Sequence, residues 1–248
     1  LFNSNSGSSY RNPDQAFDFL GGNAIDSQGN LYVANTNKGE ILKLSPDGTI
    51  GILEHTGESL FNPDGIFINA EDHIFVADRI NGAVIKITPD GISTRLALVD
   101  SGVRGLTGDE AGNLYVTINR EEGQILKIAP NGAVARFAQI PTFVPSDYRL
   151  PYIMWVGYLT YHQGDIYVAG TSTDRIYKVD GNGAVTVFAG SGVRLLPSGD
   201  ALTAHFNRPV GLAFSADGTR LFVSGCLDTA PYHVQASSPS RIYQIEIN

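Results

Sequence analysis

Apolar and polar positions alternate in short runs of strand length along the whole chain, and one arrangement of those runs recurs five times. In each copy an apolar strand leads through a turn marked by Gly or Asp to a second strand, and a third strand ends in a Pro-Asp-Gly-like turn. The second strand reads Leu31-Tyr32-Val33-Ala34, Ile74-Phe75-Val76-Ala77, Leu114-Tyr115-Val116-Thr117, Ile166-Tyr167-Val168-Ala169 and Leu221-Phe222-Val223-Ser224. The third reads Ile41-Leu42-Lys43-Leu44, Val84-Ile85-Lys86-Ile87, Ile125-Leu126-Lys127-Ile128, Ile176-Tyr177-Lys178-Val179 and Ile242-Tyr243-Gln244-Ile245.

A repeat of roughly 40–55 residues built only from short strands predicts an all-β propeller of four-stranded blades. Five blades are counted over one domain, residues 1–248. The alternative of six would have to fit four strands into segments of about twenty residues, which is too short. Inner strands begin near Gly22, Gly65, Gly105, Gly157 and Gly211, and outer strands follow turns such as Pro46-Asp47-Gly48 and Pro89-Asp90-Gly91. In these turns Pro presets φ and Gly accepts a positive one. The last blade has no outer strand of its own before Asn248, and Leu1-Phe2-Asn3-Ser4 matches the position of Phe137-Ala138 and Phe188-Ala189. The expectation is that the N-terminus supplies that strand and closes the ring, removing two sheet edges that would otherwise invite pairing with other chains.

Connections between first and second strands, and between third and fourth, are short turns, and they share one face. The insertions at 4–20, 140–155, 190–209 and 226–240 fall on the other face, which makes it the expected working surface. Aromatic residues concentrate in them, and Tyr152 and Trp155 are candidates to line a pocket over the axis.

Charge narrows the partners. A formal net charge of −8 with no basic stripe speaks against nucleic acid. Lys43, Lys86, Lys127 and Lys178 recur once per blade and read as solvated strand positions. No apolar run approaches the roughly 18–20 residues of a membrane span. Cys226 is the single cysteine, so neither an internal disulfide nor a cysteine-based metal site is open to the chain. A start at Leu1 in mid-pattern fits a trimmed product and leans the localisation toward an extracellular or periplasmic setting, although a cloning boundary explains it as well.

The segment Asn62-Pro63-Asp64-Gly65-Ile66 with Ile74-Phe75-Val76-Ala77-Asp78 resembles NHL-repeat propellers. So do Val187 to Gly192, Gly199-Asp200-Ala201 and Phe206 to Ala213. That resemblance implies a platform for ligands or protein partners, and a more distant one to gluconolactonase-like propellers implies hydrolase, lactonase or lyase chemistry. Gluconolactonase-like propellers place metal ligands from several blades at the entrance to the inner strands, where this chain has Gly21, Asp64, Arg104, Val156 and Val210. One carboxylate does not make the oxygen cage a hard cation needs, so no metal and no other cofactor is expected. No histidine follows a proline, as zinc-dependent peptide-amidating lyase propellers require.

Asp64 and Arg104 therefore form the candidate axial pair, with Asn23 and Tyr158 placed on the same side by strand alternation. Read as a structural contact they tie two blades together; read as a site they anchor a small polar ligand, Arg104 offering a planar fork. His205 is the candidate acid or base from the insert before the last inner strand. The first reading is a ligand- or partner-binding propeller; the second is a metal-independent hydrolase, lactonase or lyase using Asp64, Arg104 and His205; the third is a structural interaction module.

Overall fold

A computed structural model describes residues 19–119, 123–142, 156–193, 200, 202–226 and 240–247. Blade one consists of Leu20–Ile25, Leu31–Asn35, Glu40–Leu44 and Ile50–Ile52. Blade two consists of Pro63–Ile68, Ile74–Asp78, Ala83–Ile87 and Ile92–Leu98. Blade three runs through Val103–Gly108, Leu114–Ile118, Gln124–Ile128 and Val134–Gln139. Blade four runs through Leu159–His162, Asp165–Gly170, Arg175–Val179 and Val185–Ala189. Blade five shows Gly211–Phe214, Arg220–Cys226 and Ser240–Glu246. Each strand pairs antiparallel with the next in sequence, so every blade is a meander and the molecule is a five-bladed propeller.

Blade two carries a fifth strand that the repeat did not announce. Thr56–Gly57 pairs in parallel with the outer strand Ile92–Leu98 and covers its edge. Ser93 locks it, because its buried hydroxyl lies 2.9 Å from the Thr56 carbonyl oxygen and 2.8 Å from that of Glu58.

Alternation within the strands builds the core between blades, not within them. One face of each blade presents an aromatic, a small residue and a β-branched residue; the facing side of the next presents Leu, Ile and Val. Tyr32, Ala34 and Ile41 pack on Ile66, Ile74 and Val76 in this way, and Phe75, Ala77 and Val84 on Leu106, Leu114 and Val116. The same scheme joins blade three to four and four to five. The recurrent lysines lie across from these aromatics in register: Lys43 sits 5.5 Å from the Tyr32 ring centre and Lys127 5.4 Å from that of Tyr115. They are more than solvated positions, since each covers the rim of a ring with its stem and its charge. In blade five Gln244 stands opposite Phe222, and Arg220 takes over the ring at 5.9 Å.

Among the described residues the ring is not strictly closed. Inner strands of successive blades pack against one another from blade one to blade five, whereas those of blades five and one form no comparable contact among the described residues. The closing strand expected at Leu1–Ser4 lies outside the described residues, and so does most of each predicted insertion.

Candidate functional site

The inner strands do not run straight to the axis. In blade two Pro63 pairs with Asp78 and Ile66 with Val76, so Asp64 and Gly65 together oppose the single residue Ala77. The register of blade one has the same extra residue at Gly21 and Gly22, and that of blade three at Arg104 and Gly105. In blade four Gly157 donates to the Ala169 carbonyl and Ala169 in turn donates to that of Tyr158. These are β-bulges, which bend a strand and re-aim a side chain.

The bulge corrects the sequence alignment of the axial positions. Counting back from the residue paired with the central valine, Asp64 corresponds to Arg104 and to Gly157, not to Val156. Tyr158 then falls at the place of Gly65 and Gly105. Straight alternation also misplaced Asn23. It pairs with Val33 as Ile66 pairs with Val76, and it is exposed, with no bond joining it to the charged pair among the described residues.

Each bulge carries a glycine because the inner strands crowd. A Cβ on Gly65 would lie 2.2 Å from the Arg104 carbonyl oxygen, and one on Gly157 2.5 Å from that of Val210. The other bulge position is free to hold a side chain, and in three consecutive blades it holds a polar one: Asp64, Arg104 and Tyr158.

These three converge. Asp64 is 0 % exposed, and its Oδ1 accepts the Tyr158 hydroxyl proton in a short hydrogen bond that spans from blade four to blade two. Its Oδ2 lies 3.8 Å from Nη1 of Arg104 and 3.7 Å from Nη1 of Arg79. Those distances hold ion pairs but are too long for hydrogen bonds. The Arg104 guanidinium lies over the Tyr158 ring at 5.5 Å. Burial first, and then the neighbouring Asp64 charge, push the Tyr158 phenol well above its ordinary range, with Arg104 opposing. Tyr158 is therefore a firm hydrogen-bond donor at neutral pH and not a base.

Two polar atoms of this cluster are buried without a hydrogen-bond partner: Oδ2 of Asp64 and Nε of Arg104. One is an acceptor and the other a donor, and each such group left unpaired in the interior costs about 1–3 kcal/mol. Native proteins rarely tolerate that without a reason.

Arg79 is the member that the repeat did not reveal. It follows the second strand of blade two, and its half-exposed side chain reaches Asp64 from the solvent side. The preceding Asp78 holds the loop in place, accepting the Phe61 and Asn62 amides and the Asn81 side chain. The sequence signal for it is the Asp78-Arg79 pair at the end of that strand.

The remaining candidates separate from this cluster. His205 is half-buried in the connection between blades four and five, its Nδ1 2.7 Å from the Ser191 hydroxyl, and Ser191 also accepts the Val193 amide. No described contact joins His205 to Asp64 or Arg104. Tyr152 and Trp155 lie outside the described residues. A shallow cavity of about 650 Å³ opens at the outer rim of blade two beside Glu58, Phe61, Asn81 and Arg95, and Asp64 and Arg104 do not line it. His55 stands 3.1 Å from Ser93 near this rim, but the Ser93 proton is committed to carbonyl oxygens, so the pair is not a nucleophile and its base. Among the described residues no three His, Cys, Asp or Glu side chains gather to hold a metal ion, and no helix is long and apolar enough to cross a membrane.

No family model matches the chain, and no curated protein does. Solved structures do share the fold. A gluconolactonase from Xanthomonas campestris superposes with a TM-score of 0.64 at 19% identity, over 84% of this chain and 69% of that one. A streptogramin B lyase gives 0.57 at 16% identity, over 82% of this chain. An auxiliary nutrient binding protein from Bacteroides thetaiotaomicron gives 0.65 at 15% identity, over 84% of this chain and 57% of that one. The chain spans 61% of the length of the streptogramin lyase. Resemblance to gluconolactonase-like propellers therefore holds at the level of the fold.

Proposed function

We propose that this chain is an NHL-like propeller that binds a small organic ligand at the axis, on the side from which Arg79 reaches Asp64. The observation that carries the proposal is the orphaned pair, Asp64 Oδ2 and Arg104 Nε, buried inside a cluster assembled from three blades. A purely structural pin would gain by closing that pair into a direct hydrogen bond. Here the guanidinium is held just beyond reach, which leaves both groups for a third partner. The folds it shares with a lyase, a lactonase and a nutrient-binding protein are compatible with such a role.

The enzymatic alternative draws on the same cluster. Asp64 Oδ2 is an ionisable oxygen without a donor, and Arg104 is placed to stabilise negative charge that develops beside it. His205 has no described link to that chemistry, so a proton would be carried by Asp64 alone.

A thermal-shift screen of small organic compounds, followed by amide chemical-shift mapping of the hits, tests the binding reading. Ligands that raise the melting temperature are expected to move the Gly65 and Gly105 amides. Hits that move only Gly57, Ser59 and Thr94 at the rim would place the site there and overturn the axial reading.

A further inference from the structure

The chemistry around the orphaned atoms narrows the ligand class, an inference that rests on the axial reading above. The ligand must bring a group that donates to Asp64 Oδ2 and accepts from Arg104 Nε, both of them sealed from solvent. A carboxylate or phosphate only accepts, and would bring its charge against that of Asp64. An ammonium only donates, and would meet Arg104. A hydroxyl does both at once.

The charges add a second requirement. Among the described residues two guanidinium groups, those of Arg79 and Arg104, lie within ion-pair reach of Asp64 Oδ2. Asp78, the next carboxylate along the strand, is spent on the amides of the 61–62 loop and on Asn81. Of the two guanidinium groups, that of Arg79 is the one with room to turn toward a ligand, its side chain being 37% exposed against 9% for Arg104. Arg79 also lies between solvent and the buried oxygen. Turning it outward opens the way to Asp64 and aims its planar fork at whatever follows the hydroxyl inward. That fork fits a carboxylate with two parallel hydrogen bonds.

We propose that the axial site takes a small α-hydroxycarboxylate, with its hydroxyl bridging Asp64 Oδ2 and Arg104 Nε and its carboxylate held by Arg79. Tyr158 acts as a positioning residue. Its phenol holds Asp64 Oδ1, so that Oδ2 faces the cations, and its ring supports the Arg104 guanidinium.

The test uses four probes on the unaltered chain: glycolate, L-lactate, propionate and glycerol, each titrated while the Gly65 and Gly105 amide shifts are followed. Glycolate or L-lactate should bind about tenfold more tightly than propionate or glycerol, the cost of leaving the buried pair or Arg79 unmatched. Propionate or glycerol binding as tightly as the hydroxy acids overturns the ligand class and leaves the axial reading standing. The same holds if a different compound from the screen moves these amides and none of the four does. If no compound moves them, both fall. Two folded variants sharpen the result. Arg79→Ala should weaken all three carboxylates while leaving glycerol unchanged. Tyr158→Phe should lower the preference for L-lactate over propionate, and an unaltered preference removes Tyr158 from the proposal.

Discussion

Blades two, three and four and blades one and five are written with the same repeat, yet among the described residues only the first group is sealed on both faces. Val84, Ile125 and Ile176 are each 0% exposed, and Ile242, at the same place in blade five, is 75% exposed. The comparison holds on the other side of the seam. Val76, Val116 and Val168 are fully buried, while Val33 of blade one is half-buried and Ile25 beside it is 64% exposed. A blade's apolar pattern is thus a statement about its neighbours: a four-stranded meander cannot bury both of its faces alone. The contrast extends to the axis. Blades two to four contribute Asp64, Arg104 and Tyr158, whereas the corresponding positions of blades one and five are Gly21, Gly22, Val210 and Gly211. Sealing and axial chemistry occur in the same half of the molecule.

The largest effect expected from breaking that contrast is at the axis. Asp64→Ala removes the fully buried carboxylate that holds groups from blades three and four. It leaves the buried Arg104 without its counter-charge, a loss of about 3–5 kcal/mol for pairs of this kind. Denaturant unfolding should show it as a lower midpoint with an unchanged slope. A variant as stable as the parent would mean that the three blades are held by apolar packing alone.

Next comes the apolar seam itself. Ile125→Ala, in the interface of blades three and four, should cost about 2–5 kcal/mol, the range for truncating a fully buried aliphatic side chain. Ile242→Ala, chemically identical and at the equivalent position, should cost less than about 0.5 kcal/mol. Two equal losses would show that blade five is covered in solution.

A third test reads the sealed interfaces through pH. Burial first, and then a hydrogen bond and charge from Asp26, push the Tyr32 phenol up to about 12; Tyr115 is likewise pushed up to about 12 by burial and Asp109. In the unfolded chain both ionise near the ordinary value of about 10. A raised value stabilises the fold fully below about pH 10 and stops doing so as the pH rises through about 12. Stability should fall across that window, and Tyr32→Phe or Tyr115→Phe should flatten the fall. Phe222, at the same position in blade five, has no hydroxyl and takes no part in it. Unfolding midpoints measured at pH 9 to 12 give the slope directly.

The unequal sealing explains what the sequence could and could not convey. The five copies of the strand pattern and their Pro-Asp-Gly turns are local signals, so blade number and strand order were legible. The Asp64–Arg104 pair was legible too, because it recurs at matched places before Gly65 and Gly105. The bulge was not. One extra residue in an inner strand leaves no compositional mark; it took Asn23 off the axial side on which alternation had put it, while Tyr158, placed there by alternation too, reaches Asp64 from the bulge itself. Arg79 was missed because it lies outside the strands that the repeat defines, and the fifth strand of blade two because two residues carry no period. Coverage of a face depends on what packs against it, and nothing in Ile242-Tyr243-Gln244-Ile245 tells it from Ile41-Leu42-Lys43-Leu44.

The smallest expected change in stability gives the sharpest view of the seam. Ile242→Lys places a charge where Ile41, Val84, Ile125 and Ile176 all sit in a dry interface. In any of those four positions a lysine would carry a buried charge without a partner and unfold the blade. At position 242 its long stem can lie along the sheet with the amine in water, so the melting temperature should hardly move. Exposed aliphatic surface instead acts through association, since Ile242 together with Ile25 and Ile52 forms part of the uncovered faces of blades five and one. The lysine variant should therefore stay folded and scatter less light at high concentration than the parent. If it fails to fold, the face it carries is covered in solution, and the open seam between blades five and one would have to be closed by residues outside those described.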